Sequence, residues 1–121
     1  MNHDNELTGK VIGCAYAVQN ELGSGFLEKV YENAMLHELG KQGIAVVQQA
    51  PIHVFYDGAQ VGEYFADLLV EDSLIVELKA VKAIDPQHYA QTLNYLKATH
   101  KQLALILNFG TPKVEIKRLA L

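Results

Sequence analysis

Asp67-Leu68-Leu69-Val70-Glu71-Asp72-Ser73-Leu74-Ile75-Val76-Glu77-Leu78-Lys79 is the stretch on which the reading of this chain turns. Ile75, Val76 and Leu78 crowd Leu74–Leu78 with apolar side chains, which predicts an interior strand. Glu77 and Lys79 lie two residues apart, so the pleat sends both to one face. Charged groups placed there are costly unless they pair or bind a metal. Register then decides whether Asp67 joins them. Pairing Asp67 with Glu77 sets Val70 opposite Leu74 and requires Glu71-Asp72-Ser73 to be a three-residue loop. A two-residue loop would turn Asp67 to the other face unless a bulge intervened.

Outward from this pair, Gln60 to Val70 reads as one strand and Ala45 to Tyr56 as its partner, joined by the tight-turn dipeptide Asp57-Gly58. Two helices precede them. Val11, Ile12, Ala15, Val18 and Leu22 recur at helical spacing from Thr8 to Leu22, and Gly23 is a natural stop. A second helix is expected from about Gly25 to Leu39, ended by Gly40 and Gly43. Beyond Lys79, Asp85 as N-cap and Pro86 at the first helical position begin a helix that runs to about Thr99. Gln102 to Asn108 reads as a fully buried strand and Val114 to Leu119 as the last. The order is ααβββαββ: an α/β fold with a mixed β-sheet flanked by helices.

The chain has 121 residues, half of them hydrophobic and a fifth charged. That length and composition predict one globular domain over residues 1–121, with 1–6 a flexible tail. No run of apolar residues is long enough to cross a membrane, and the polar, acidic start predicts no secretory signal. A single cysteine, Cys14, excludes an internal disulfide and a multi-cysteine zinc site. A soluble, cytoplasmic protein is expected. The net charge of −4 speaks against a nucleic-acid partner, yet it divides unevenly: residues 1–72 carry −8 and residues 73–121 carry +4.

Two carboxylates on neighbouring strands form a hard-oxygen site suited to Mg²⁺ or Mn²⁺. A lysine beside them can orient water and stabilise charge on a phosphate. On these residues alone, an ion pair at a strand end is the commoner arrangement. On the third helix Gln91 and Tyr95 are four apart and share a face, with His88 one turn before. Tyr89, Leu93, Leu96 and His100 form the opposite stripe, expected to pack. On the second helix Gly25, Glu28 and Tyr31 follow one another at three-residue spacing. Glu28 there has a plain reading as a first-turn acid favoured by the helix dipole.

Gly25-Phe26-Leu27-Glu28-Lys29-Val30-Tyr31 resembles the signature of the GxxExxY protein family. Asp67…Glu77-Leu78-Lys79 and Gln91-Thr92-Leu93-Asn94-Tyr95 resemble the metal-binding core and Gln-xxx-Tyr helix of the PD-(D/E)XK nuclease superfamily, to which that family is assigned. The likeness runs from about Leu7 to Leu119. It implies Asp67, Glu77 and Glu28 as ligands of Mg²⁺ or Mn²⁺, joined by the Leu78 carbonyl, and Lys79 as the catalytic lysine. It implies Gln91 as a catalytic-site contact, with Tyr95 and Tyr31 lining the substrate and Tyr31 equally suited to packing. His88, a turn before Gln91, belongs with the lining set. Two departures stand out. Ala66 replaces the proline of the superfamily name, and Gln19 occupies a position where relatives carry histidine.

Other chemistries find no support. His3, His37, His53, His88 and His100 have no zinc-site spacing, and no Gly-rich phosphate loop or nucleophile elbow occurs. The expected function is a metal-dependent nuclease acting on DNA or RNA. The alternative is a catalytically silent module of the same fold that binds nucleic acid or protein. A domain of 13.4 kDa has little surface with which to grip a duplex, which points to a homodimer or a protein partner.

Overall fold

The computed structural model describes residues 3–121. Its elements follow the expected order: α1 (His3–Leu22), α2 (Glu28–Lys41), β1 (Val46–Tyr56), β2 (Ala59–Val70), β3 (Leu74–Lys79), α3 (Pro86–Thr99), β4 (Leu103–Asn108) and β5 (Glu115–Ala120). The strands form one mixed sheet in the order β1-β2-β3-β4-β5. Neighbours are antiparallel except β3 and β4, which run parallel and are connected through α3. A parallel pair needs such a crossover, and covering both faces is what lets β3 and β4 be almost wholly apolar.

The helices divide between the two faces of the sheet. Val11, Ala15 and Val18 of α1 and Tyr31, Met35 and Leu39 of α2 pack with Leu68, Val76, Leu78, Leu105 and Leu107. On the other side Tyr95 and Leu96 of α3 meet Ala50, Ala66 and Ala104, whose small side chains let the helix approach closely. α3 is capped as expected, with the Asp85 carboxylate accepting from Gln87 N–H at 2.8 Å. Its inward stripe differs from the expected one. Thr92, Tyr95 and Leu96 are buried, whereas His100 is exposed at the helix end. Thr92 and Thr99 donate their hydroxyls to the carbonyls of His88 and Tyr95, at 2.9 and 2.8 Å, so both pack without an unsatisfied polar atom.

Helix α1 starts before the expected Thr8 and takes in residues 3–6 of the expected tail; Met1 and Asn2 lie outside the described residues. Tertiary bonds account for the early start. Arg118 of β5 donates to Asn5 Oδ1 at 3.1 Å and to Thr8 Oγ1 at 3.3 Å, and Leu7 is buried.

The chain leaving Lys79 is held by β4. Phe109 N–H donates to the Lys79 carbonyl at 2.8 Å. The buried Asn108 amide then brackets Val81 as a strand would, accepting from its N–H at 3.0 Å and donating to its carbonyl at 2.9 Å. Gly110 is required at this crossing, because a Cβ there would run into the backbone of Ala80 and Val81. Gly110→Ala should therefore lower stability by about 1–3 kcal/mol. Gly13→Ala, in open space within α1, should raise it by about 0.5–1 kcal/mol. Urea unfolding of both variants measures the contrast.

Candidate active site

The β2–β3 ladder runs Val70↔Leu74, Leu69↔Ile75, Leu68↔Val76 and then stops. Glu71-Asp72-Ser73 is the three-residue loop that the site requires, with Glu71 and Asp72 both at positive φ. Where the ladder ends, side chains replace backbone. Asp67 N–H donates to Glu77 Oε2 at 2.8 Å, and Leu78 N–H donates to Asp67 Oδ2 at 2.8 Å. Each carboxylate thus binds a backbone amide of the other's strand. These crossed bonds hold the two acids together and leave each with one oxygen that no backbone amide uses.

A third carboxylate stands behind them. Glu32, buried in α2, accepts from the Gln48 side chain and from Gln49 Nε2 at 3.0 Å, while Lys29 pairs with it at 2.9 Å. Gln49 also reaches Asp67 Oδ1 at 3.4 Å, so it links the helix acid to the strand acid. Gln49 has φ +52 in the middle of β1, and the β1–β2 register omits a Gln49–Asp67 pair. A non-glycine residue in this conformation costs of order 1 kcal/mol or more and is held only by its surroundings. The strands change face here: Val46 and Leu68 pack toward α1 and α2, whereas Ala50 and Ala66 pack toward α3.

Lys79 sits half-buried at the end of β3 and makes no direct ion pair with these acids among the described residues. Its charge favours both carboxylates, but other effects outweigh it. Burial, and then the neighbouring Asp67 charge, push Glu77 up to about 8. Burial chiefly raises Asp67 as well, with the Glu32 charge adding to it against the Leu78 amide bond. A simple ion pair would depress both acids. Here no direct ion pair among the described residues neutralises either acid, and each holds its proton more tightly than a free carboxyl. Tyr95 faces the same acids and is pushed up to about 12, by burial first and then by Glu77 and Asp67.

The residues singled out from sequence separate into two groups. Asp67, Glu77, Lys79 and Tyr95 come together, and Gln91 lies one turn before Tyr95 on the exposed side of α3. Glu28, Tyr31 and His88 do not join them. Glu28 opens α2 exposed to solvent, and the acid that reaches the cluster is Glu32, one turn later. Tyr31 is fully buried rather than lining a cleft. It stacks on Phe109 with centroids 4.5 Å apart, donates its hydroxyl to the Gly23 carbonyl at 2.7 Å and accepts from Phe26 N–H at 3.2 Å. Those bonds fix the turn in which Gly25, at φ +115, needs to be glycine. His88 spends Nδ1 on the Asp85 N–H at 3.1 Å, which makes it part of the α3 cap.

Glu32 and Gln49 are the site residues that sequence reasoning missed. Glu32 lies four residues after Glu28 and therefore shares its helix face, a signal that was available. Among the described residues no group of three or more His, Cys, Asp or Glu side chains is gathered as a ready-made metal cage. Two carboxylates, each with one oxygen that no backbone amide uses, nevertheless suit Mg²⁺, which is commonly held by one or two carboxylates and keeps several waters.

The family profile described as the PD-(D/E)XK nuclease superfamily matches residues 5–119. No curated protein matches the sequence. Two solved structures share the fold. One is the crystal structure of SSO0001, at TM-score 0.58 and 13% identity over 76% of this chain and 48% of that one. The other is an alkaline exonuclease from Laribacter hongkongensis, at TM-score 0.54 and 16% identity over 76% of this chain and 55% of that one. The chain thus spans about half the length of the solved proteins that it matches. No described helix is long and apolar enough to cross a membrane.

The acids make metal-free stability depend on pH. Folded Glu77 keeps its proton up to about 8, whereas the unfolded chain releases it near 4.5. The folded state therefore binds more protons across that window, and stability falls as pH rises through it. One such group gives a slope of at most about 1.4 kcal/mol per pH unit. Urea unfolding in EDTA should show the decline in the wild type, and Glu77→Gln should flatten it.

Proposed function

The chain belongs to the PD-(D/E)XK nuclease superfamily, and on that premise we propose that it is a metal-dependent nuclease hydrolysing phosphodiester bonds of DNA or RNA. The observation that carries this reading is the Asp67–Glu77 pair, locked by crossed backbone bonds and left without a neutralising ion pair. Within the superfamily we place it with the GxxExxY proteins on Gly25, Glu28 and Tyr31. We also place it in the cytoplasm, where the buried Cys14 thiol stays reduced. A homodimer or protein partner would enlarge a small surface.

Asp67 and Glu77 would hold Mg²⁺ or Mn²⁺. When bound, the ion supplies Lewis-acid polarisation of the scissile phosphate and a water of lowered pKa. Lys79, on the same β3 face as Glu77, orients the attacking water and offsets charge that builds on the phosphate oxygens. Glu32, through Gln49, keeps the Asp67 carboxylate in place. Gln91 and Tyr95 border the acids on the α3 side, where Tyr95, kept neutral, can donate a hydrogen bond to a phosphate oxygen.

The absence of a third gathered ligand among the described residues favours one other reading, a nuclease-like module that binds without turnover. Calorimetric titration with Mn²⁺ separates the two, because the module has no need of the ion.

Cleavage assays on single- and double-stranded DNA and RNA with Mg²⁺ or Mn²⁺ test the proposal. Glu77→Ala and Lys79→Ala should each lower the rate by at least about a hundredfold. Glu32→Gln should cost more activity than Glu28→Gln, since only Glu32 touches the site. Activity unchanged in both Glu77→Ala and Lys79→Ala would overturn the reading.

A further inference from the structure

A cavity of about 690 Å³ opens between α3 and the outer half of the β1–β2 hairpin. Its size is that of a small-ligand pocket. Phe55 and Tyr64 form the hairpin wall, and both are substantially exposed. On the helix wall Gln87, Gln91 and Asn94 recur at i, i+4 and i+7, so their amides form one stripe. Ala90 and Ala98 keep the floor low. Lys97 adds positive charge, and no Asp or Glu lines the cavity among the described residues. Tyr95 closes the end toward the acids, its ring 5.7 Å from that of Tyr64.

The hairpin is irregular at this wall. The β1–β2 register shifts between Val54 and Phe55, and both of these consecutive residues line the cavity. Regular pleating would send them to opposite faces, and re-aiming side chains is a recognised role of bulges.

We propose that this groove binds unpaired nucleobases, so that the substrate is the single-stranded portion or frayed end of a nucleic acid. Aromatic faces stack on any base, and side-chain amides present a donor and an acceptor to base edges. A duplex hides the base faces and the Watson–Crick edges. Tyr95 belongs both to this groove and to the surroundings of Asp67 and Glu77, and a strand running from one to the other favours a nucleic acid over a peptide as the occupant. This inference rests on the nuclease reading, and it is tested without cleavage.

Fluorescence anisotropy in EDTA would use labelled oligo-dT and oligo-U strands of about ten nucleotides, within known single-strand site sizes, beside a blunt duplex of the same length. Single strands should bind at least about tenfold more tightly than the duplex. Tyr64→Ala and Phe55→Ala should each weaken single-strand binding by about fivefold or more, the low end of base–aromatic stacking. Phe55→Tyr should restore it, and Lys97→Gln should lower the salt dependence. Circular dichroism checks folding, and Phe55 is exposed enough that its truncation leaves the core intact. Tighter binding of either dT or U than of the duplex supports the groove. Wild-type affinity in both aromatic variants, or equal affinity for duplex, overturns it and leaves a protein segment as the occupant. Loss of single-strand preference on Phe55→Ala, in a protein that cleaves nothing with Mg²⁺ or Mn²⁺, supports the groove and refutes the nuclease reading alone.

Discussion

Two hydrogen bonds, Asp67 N–H to Glu77 and Leu78 N–H to Asp67, set the geometry on which the site depends. They occur where the β2–β3 ladder stops, and they satisfy backbone groups that would otherwise be stranded at the sheet's opening. Such a bond to a backbone amide contributes about 0.5–1.5 kcal/mol when the acid is neutral and about 1.5–3 kcal/mol when it is ionised. Against that stands the desolvation that raises both acids. The outcome is a pair that is structurally fixed but electrostatically incomplete. A lysine in direct contact would make the region more comfortable and would also remove its capacity to take a cation. Among the described residues Lys79 lies near the acids without such a pair, as the proposed cation site would require.

The supporting layer is built from elements that are themselves constrained elsewhere. Tyr31 ties the Gly23–Phe26 turn to the core, and that anchoring sets where α2 begins. Glu32 is the next residue, so the buried ring that anchors the helix also sets the angle at which Glu32 enters the cluster. Gln49 completes the link at the expense of a left-handed backbone conformation. Strain of this kind persists only when several contacts over-determine it, and Glu32 and Asp67 supply two. On the far side, Asn108 and Phe109 fasten the chain as it leaves Lys79, so the lysine is held from the neighbouring parallel strand.

What the sequence reveals and what it hides follow from the range of the interactions. The element order and the Asp85–Pro86 helix start are local patterns that read directly from residue type and spacing, whereas the three-residue loop is a condition that the site imposes and that the structure meets. The Asp67–Glu77 contact follows from that loop, because period-two alternation transmits register without loss along a short strand. Glu32 was hidden because Glu28, the residue of the signature, occupies the same helix face one turn earlier. Choosing between them needs the tilt of α2, which distant contacts determine. Gln49 carries no signature of positive φ, since glycine is the usual marker. Tyr95 was expected on the face opposite the packing stripe. Its aromatic ring is buried nevertheless, because the alanines at 50, 66 and 104 leave room for it.

A net charge of −4 bears differently on the two kinds of nucleic-acid surface. A duplex is gripped mainly through its phosphates, and affinity there grows with each lysine or arginine that displaces a counterion. An acidic domain with ten basic side chains is poorly equipped for that mode. Screening over about 8–10 Å limits the repulsion to the near surface, so local composition decides what can approach. The surface beside the carboxylates has no acid among its described lining residues, one lysine, exposed rings and amides. That composition draws its affinity from bases more than from phosphates. A cation between Asp67 and Glu77 would reverse the sign of the field at the one place where a phosphate has to come close. Acidity elsewhere would then work as a filter, weakening indiscriminate phosphate binding and leaving recognition to the proposed groove and ion.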